Sequence, residues 1–272
     1  MRLQITRVVS GLAVALLALA NSPDVLATPY VRALTAAYDQ NTGYNVQDTG
    51  QIAGPMAFAE SGPFVDGGSS FHAKAYAQFD SSSGPSLGAY SWVDNTYPLA
   101  QAFTPADAWW GDTFTVTGAP GTQITFNVGM QLHDALSAIK YLGYPDNLGA
   151  QAVAYLDGTG VFGGLAIHDD SSAPAANKTV WQSVTYNVGT VLGMGGHLST
   201  DATAQGGTAT ADAFSTALFA IEVVTPGGGY TTESGMVFAT SFSVPEPSTY
   251  SLLLIGLAAW GLFARCRKQI AA

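Results

Sequence analysis

The sequence predicts an all-β protein: an antiparallel β-sandwich, jelly-roll-like, flanked by an N-terminal signal peptide and a single C-terminal transmembrane helix. Three observations lead there. Apolar and polar residues alternate with period two in several stretches. Strong helix formers are scarce between residues 28 and 243, where Glu, Lys and Arg occur only at Arg32, Glu60, Lys74, Lys140, Lys178, Glu222 and Glu233. The two ends of the chain are apolar and carry basic flanks.

The N-terminus comes first. Arg2 and Arg7 precede the apolar run Val8 to Ala20, Pro23 interrupts it, and Val25-Leu26-Ala27 offers small or medium residues for a signal peptidase. This is the pattern of a secretory signal peptide, residues 1–27, with cleavage expected after Ala27. Residues 28–243 then form one exported domain. Of the nineteen acidic residues all but Asp24 and Glu246 lie here, against four basic ones, a formal charge of −13. That balance argues against nucleic acid and anionic lipid as partners. The single cysteine, Cys266, lies outside the domain, so stability must come without disulfides.

Within the domain, Phe71, Ala73, Ala75, Ala77 and Phe79 share one face of a strand, opposite His72, Lys74, Tyr76 and Gln78. Asp112 to Thr117 and Thr122 to Met130 alternate likewise, joined by Gly118-Ala119-Pro120-Gly121. Proline presets φ and glycine accepts positive φ, so Pro120-Gly121 suits a type II turn and the pair reads as a hairpin. Further strands are expected at Ala150 to Leu156, Phe162 to Ile167, Val180 to Val188, Phe214 to Val224 and Met236 to Phe242. Val191 to Ala213, built of small residues, reads either as a strand pair or as a loop. A helix fits Leu132 to Tyr141, with Gly143 and Pro145 to end it. About ten short strands with turn signals between them define the sandwich.

The C-terminus has three parts in order: Val244-Pro245-Glu246-Pro247-Ser248-Thr249, the uncharged run Tyr250 to Ala264, and the basic stop Arg265, Arg267 and Lys268. The run is short for a membrane helix, which needs roughly 17–25 residues. The basic stub orients it with its end in the cytoplasm. Residues 244–272 resemble the PEP-CTERM sorting signal of exported bacterial proteins. The resemblance implies an exosortase as partner, an inner-membrane-anchored precursor, and delivery to the cell surface or extracellular matrix beside exopolysaccharide in biofilm. Each proline fixes φ and lacks an N–H, so Pro245-Glu246-Pro247 stays extended and readable.

Chemistry in the body is sparse. Gly158-Thr159-Gly160-Val161-Phe162-Gly163 matches a dinucleotide fingerprint but lacks the following helix and acid, and reads as a hairpin turn. His72, His133, His168 and His197 show no metal or nucleophile spacing, and no cofactor or enzyme is expected. Asp157, Asp169 and Asp170 offer hard oxygen ligands suited to Ca²⁺, without EF-hand spacing. Trp109 and Trp110, adjacent on a strand, point to opposite faces, and an exposed one could stack a glycan. The function read from this is a structural or adhesive envelope protein linked to exopolysaccharide. A carbohydrate-binding module is the alternative, with a secreted hydrolase behind both.

Overall fold

The computed structural model describes residues 29–39, 43–66, 68–80, 84–97, 101–141, 147–158, 164–172 and 177–242. The signal peptide with Ala27, the sorting residues Pro245, Glu246 and Pro247, the run Tyr250 to Ala264 and the stop Arg265, Arg267 and Lys268 lie outside them. The chain divides into two compact units, Met1–Thr240 and Ser241–Ala272; the sheets described below belong to the first.

Among the described residues every regular element is a strand, and every ladder between strands is antiparallel. In chain order they are β1 (Tyr30–Asp39), β2 (Gly43–Asp48), β3 (Met56–Asp66), β4 (Ser69–Asp80), β5 (Gly84–Asn95), β6 (Ala102–Thr117) and β7 (Gln123–Lys140). Then follow β8 (Asn147–Gly158), β9 (Leu165–Asp170), β10 (Asn177–Asn187), β11 (Val191–Gln205), β12 (Gly207–Val223) and β13 (Gly229–Thr232). One sheet has the order β2-β1-β6-β11-β8-β9, with β13 also paired to β6; the other has the order β10-β7-β12-β5-β4-β3. Their inner faces enclose a large apolar cluster and a smaller one around Ala37, Phe71, Val93 and Ala209.

Alternation does what the sequence says it should. In β4, Phe71, Ala73, Ala75 and Ala77 are buried while His72, Lys74 and Tyr76 stand on the other face. In β6, Ala106, Ala108 and Trp110 point inward. The core has two textures. One end is filled by rings, with Trp110 packed against Phe219 and Phe238, and Phe114 against Phe126 and Tyr230. The other end is mostly alanine, with Phe71 and Val93 among it, and there side chains of one sheet bond the other. Ser91 Oγ lies 2.8 Å from Thr200 Oγ1, Thr35 Oγ1 lies 2.8 Å from Ser61 Oγ, and Asn95 Nδ2 donates to Ala204 O at 3.0 Å.

Four expectations change. The turn at Ala119-Pro120-Gly121-Thr122 forms as read: Gly121 has φ +78° and Thr122 N donates to Ala119 O at 3.2 Å. Its flanking strands do not pair with each other, because β6 joins the first sheet and β7 the second. The turn is a corner, not a hairpin. Leu132 to Tyr141 is not a helix; its backbone through Lys140 belongs to β7, paired with Gly207 to Ala217 of β12, and tertiary pairing overrides the local pattern. Val191 to Ala213 is two strands, β11 and the start of β12, again divided between sheets at Gly206. Met236 to Phe242 makes a single bridge, Ala220 with Ala239, and anchors instead through buried Met236 and Phe238. The expected pairing around the Gly158 motif holds, since β8 and β9 are antiparallel neighbours.

Candidate functional site

The outer face of the first sheet carries a line of side chains set by register. Arg32 on β1 stands opposite Trp109 on β6, Trp109 opposite His197 on β11, and His197 opposite Tyr155 on β8. Cross-strand neighbours of this kind have side chains in contact, and here all four stack. The Arg32 guanidinium lies 5.0 Å from the Trp109 ring centre. Trp109 and His197 are parallel to within 4° at 4.7 Å, and His197 and Tyr155 lie 15° apart in plane at 6.0 Å.

Carboxylates frame the stack. Asp48 takes two bonds from Arg32, at 2.6 Å from Nη2 and 3.0 Å from Nε. That pairing holds the Asp48 carboxyl below its ordinary range and pushes the Arg32 guanidinium up. Asp107 bonds His197 Nε2 at 2.9 Å. Asp201, on the same face of β11, is pushed up to about 7, first by burial and further by the charge of Asp107, against hydrogen bonds from Thr203 and Gln151.

The structure separates the two adjacent tryptophans. Trp110 is a core residue, fully buried above Gly196, and offers no ring face to a sugar. This corrects the expectation of glycan stacking for Trp110. Trp109 is half-buried, with His197 on one face and Arg32 over the ring. Its stacking capacity is already used inside the protein.

The acidic candidates are scattered. Asp169 is buried and pairs with Lys178 Nζ at 3.2 Å, while its Oδ1 accepts from Asp170 N at 2.9 Å. Asp170 accepts from the Ser172 amide at 2.8 Å and from the Ser172 hydroxyl. Asp157 sits on β8 opposite Gly195. Among the described residues no three His, Cys, Asp or Glu side chains converge to hold a metal. Sequence reading missed Asp134, which is pushed up to about 6 by burial and by the nearby Asp169 charge, against Lys178. No spacing signal could have found it, since Asp169 and Lys178 lie far along the chain.

It also left unremarked the outer face of the second sheet. There Trp181 on β10 stands opposite Gly129 on β7. A Cβ at Gly129 would stand 2.5, 2.6 and 2.7 Å from Trp181 Cε3, Cζ3 and Cδ2. Near-equal distances to three successive ring atoms mean that the ring lies face-down on the glycine. Even so, Trp181 remains 44% exposed.

Comparison with known proteins adds one assignment. Residues 243–268 match the PEP-CTERM protein-sorting motif, which marks the chain as an exosortase-sorted exported protein. Pro245, Glu246, Pro247, Arg265, Arg267 and Lys268 all fall inside the matched segment. No curated protein matches the chain.

Proposed function

We propose that this chain is a non-catalytic protein of the cell envelope or extracellular matrix, with a structural or adhesive role linked to exopolysaccharide. The observation behind the proposal is the sorting motif at residues 243–268. In this reading a signal peptide ending at Ala27 exports the all-β body. Tyr250 to Ala264 anchors the precursor in the inner membrane, with Arg265, Arg267 and Lys268 on the cytoplasmic side. Exosortase reads Pro245-Glu246-Pro247 and releases the β-sandwich body to the surface. The body suits the role, because residues 28–243 contain no cysteine and their fold depends on no disulfide.

The test replaces Pro245, Glu246 and Pro247 by Ala, Gln and Ala in an exosortase-bearing host. Membrane and extracellular fractions are then immunoblotted beside wild type. A sorting signal predicts unprocessed precursor accumulating in the inner membrane. A plain anchor depends only on apolar length, so a variant processed and released like wild type would refute the sorting step.

A second reading, a carbohydrate-binding module, is favoured by one observation: Trp181 spread over Gly129 among the polar outward side chains of β10 and β7.

A further inference from the structure

We infer that the outer face of β10 and β7, centred on Trp181, is a docking surface for a neutral, β-linked pyranose polysaccharide. The inference rests on the link to exopolysaccharide proposed above and adds the face, the residues and the class of glycan.

Begin with the ring. A pyranose whose hydroxyls are equatorial shows axial C–H bonds on both faces, and such a face is apolar. It needs a flat apolar partner of similar width, which an indole supplies when its plane lies along the sheet. Glycine at position 129 is what allows that posture, since any Cβ there would lift the ring. Trp109, standing edge-on in its stack, cannot offer the same surface.

The neighbours complete the match. Along β10, Thr179, Ser183, Thr185 and Asn187 share the outward face with Trp181. They are held in place by cross-strand bonds: Gln131 Nε2 donates to Thr179 at 3.2 Å, Ser183 Oγ donates to Asn127 Oδ1 at 2.5 Å, and Thr185 and Thr125 hydroxyls lie 2.9 Å apart. Asn127 Nδ2 in turn donates to Glu222 at 2.9 Å. Hydroxyls and amides fixed in this way can exchange bonds with sugar hydroxyls at little entropic cost. Gln131, only 7% exposed, keeps an Oε1 without a hydrogen-bond partner among the described residues, directly beside this row. An apolar protein partner would have no use for such groups. Charge narrows the glycan further. The domain is strongly acidic, which disfavours a polyanionic chain, and the row itself is uncharged apart from Glu222.

The experiment uses the full chain in a zwitterionic, sugar-free detergent, with β-1,4-glucan and xylan as neutral probes and polygalacturonate as the anionic one. Binding is followed by pull-down and by tryptophan fluorescence. Wild type is expected to bind a neutral probe and not polygalacturonate. Trp181→Ala should weaken binding about ten-fold or more, the size typical of a central aromatic anchor. Trp181→Phe should weaken it less, and Gly129→Ala should act like Trp181→Ala by lifting the ring. Trp109→Ala should bind as wild type does. The inference is overturned if wild type binds neither neutral probe, or if Trp181→Ala binds undiminished. Circular dichroism of each variant separates lost binding from lost fold. Processing of the tail is read in the separate fractionation assay, so a failure here leaves the sorting reading standing, and the reverse.

Discussion

Trp109 and Trp181 occupy similar places and meet different fates. Both sit mid-strand on the outer face of a sheet, and both have a cross-strand neighbour that decides what the ring does. Opposite Trp109 stand Arg32 and His197, so the ring stands up, is gripped on both sides and becomes one slice of a stack. Opposite Trp181 stands Gly129, so the ring lies down and stays 44% exposed. The lesson is that exposure of an aromatic is set across the ladder, not along the strand. The faces differ in charge too: Asp48, Asp107 and Asp201 surround the first ring, while hydroxyls and amides surround the second.

The sharpest way to break this contrast is a three-tryptophan series read by urea unfolding. Trp110→Ala removes a fully buried ring and should cost about 3–5 kcal/mol. Trp109→Ala loses the stack and should cost about 1 kcal/mol, typical of an aromatic pair. Trp181→Ala should stay within about 0.5 kcal/mol, as for a surface position. If Trp181→Ala costs as much as Trp109→Ala, the two rings are equally structural and the contrast fails.

Acid titration is the next test. Asp201 is pushed up to about 7, chiefly by burial, whereas an unfolded aspartate titrates near 4. Between these values the folded state binds more protons than the unfolded one. Stability contributed by Asp201 is therefore full below about pH 4 and falls as pH rises to about 7. Asp201→Asn should flatten that part of the profile, leaving the variant relatively more stable at pH 8 than at pH 4. An unchanged slope in Asp201→Asn would place the titration elsewhere.

A further small effect concerns the Arg32 end of the stack. Arg32→Ala removes a cation over Trp109 and a partly exposed ion pair with Asp48, together worth about 1 kcal/mol or less. The loss should shrink in high salt, because the pair is screened. A loss well above that would mean Arg32 holds the β2 edge against β1 by packing.

Much of this was legible beforehand, for identifiable reasons. Period two exposed β4 and the last part of β6, from Asp112, because each buries a single face, and Pro120-Gly121 announced its turn because only certain residues accept those dihedrals. The sorting motif was legible because its parts are contiguous. What the chain could not disclose was partnership. A corner and a hairpin use the same turn residues, so β6 and β7 read as partners when each belongs to a different sheet. The same blindness hid the Arg32, Trp109, His197 and Tyr155 line, whose members come from four strands, and the meeting of Trp181 with Gly129. Leu132 to Tyr141 misled because Leu132 and Leu136 are spaced like one helix face, while in β7 only Leu136 is buried beyond Gln131 and Leu132.

The polar ties in the alanine half of the core have a mechanical consequence. Ser91 with Thr200, Thr35 with Ser61, and Asn95 with the Ala204 carbonyl work like pins through two plates. Sliding one sheet past the other by a single side-chain pair would set these groups against methyls, at about 1–3 kcal/mol for each buried group left unpaired. Alanine alone would resist such slip weakly, because its surface is smooth. A pull applied at one end of the chain is therefore met by both sheets at once, and the body should yield in one step under shear and not sheet by sheet. In the matrix role proposed above, that pinning would give toughness without a covalent cross-link.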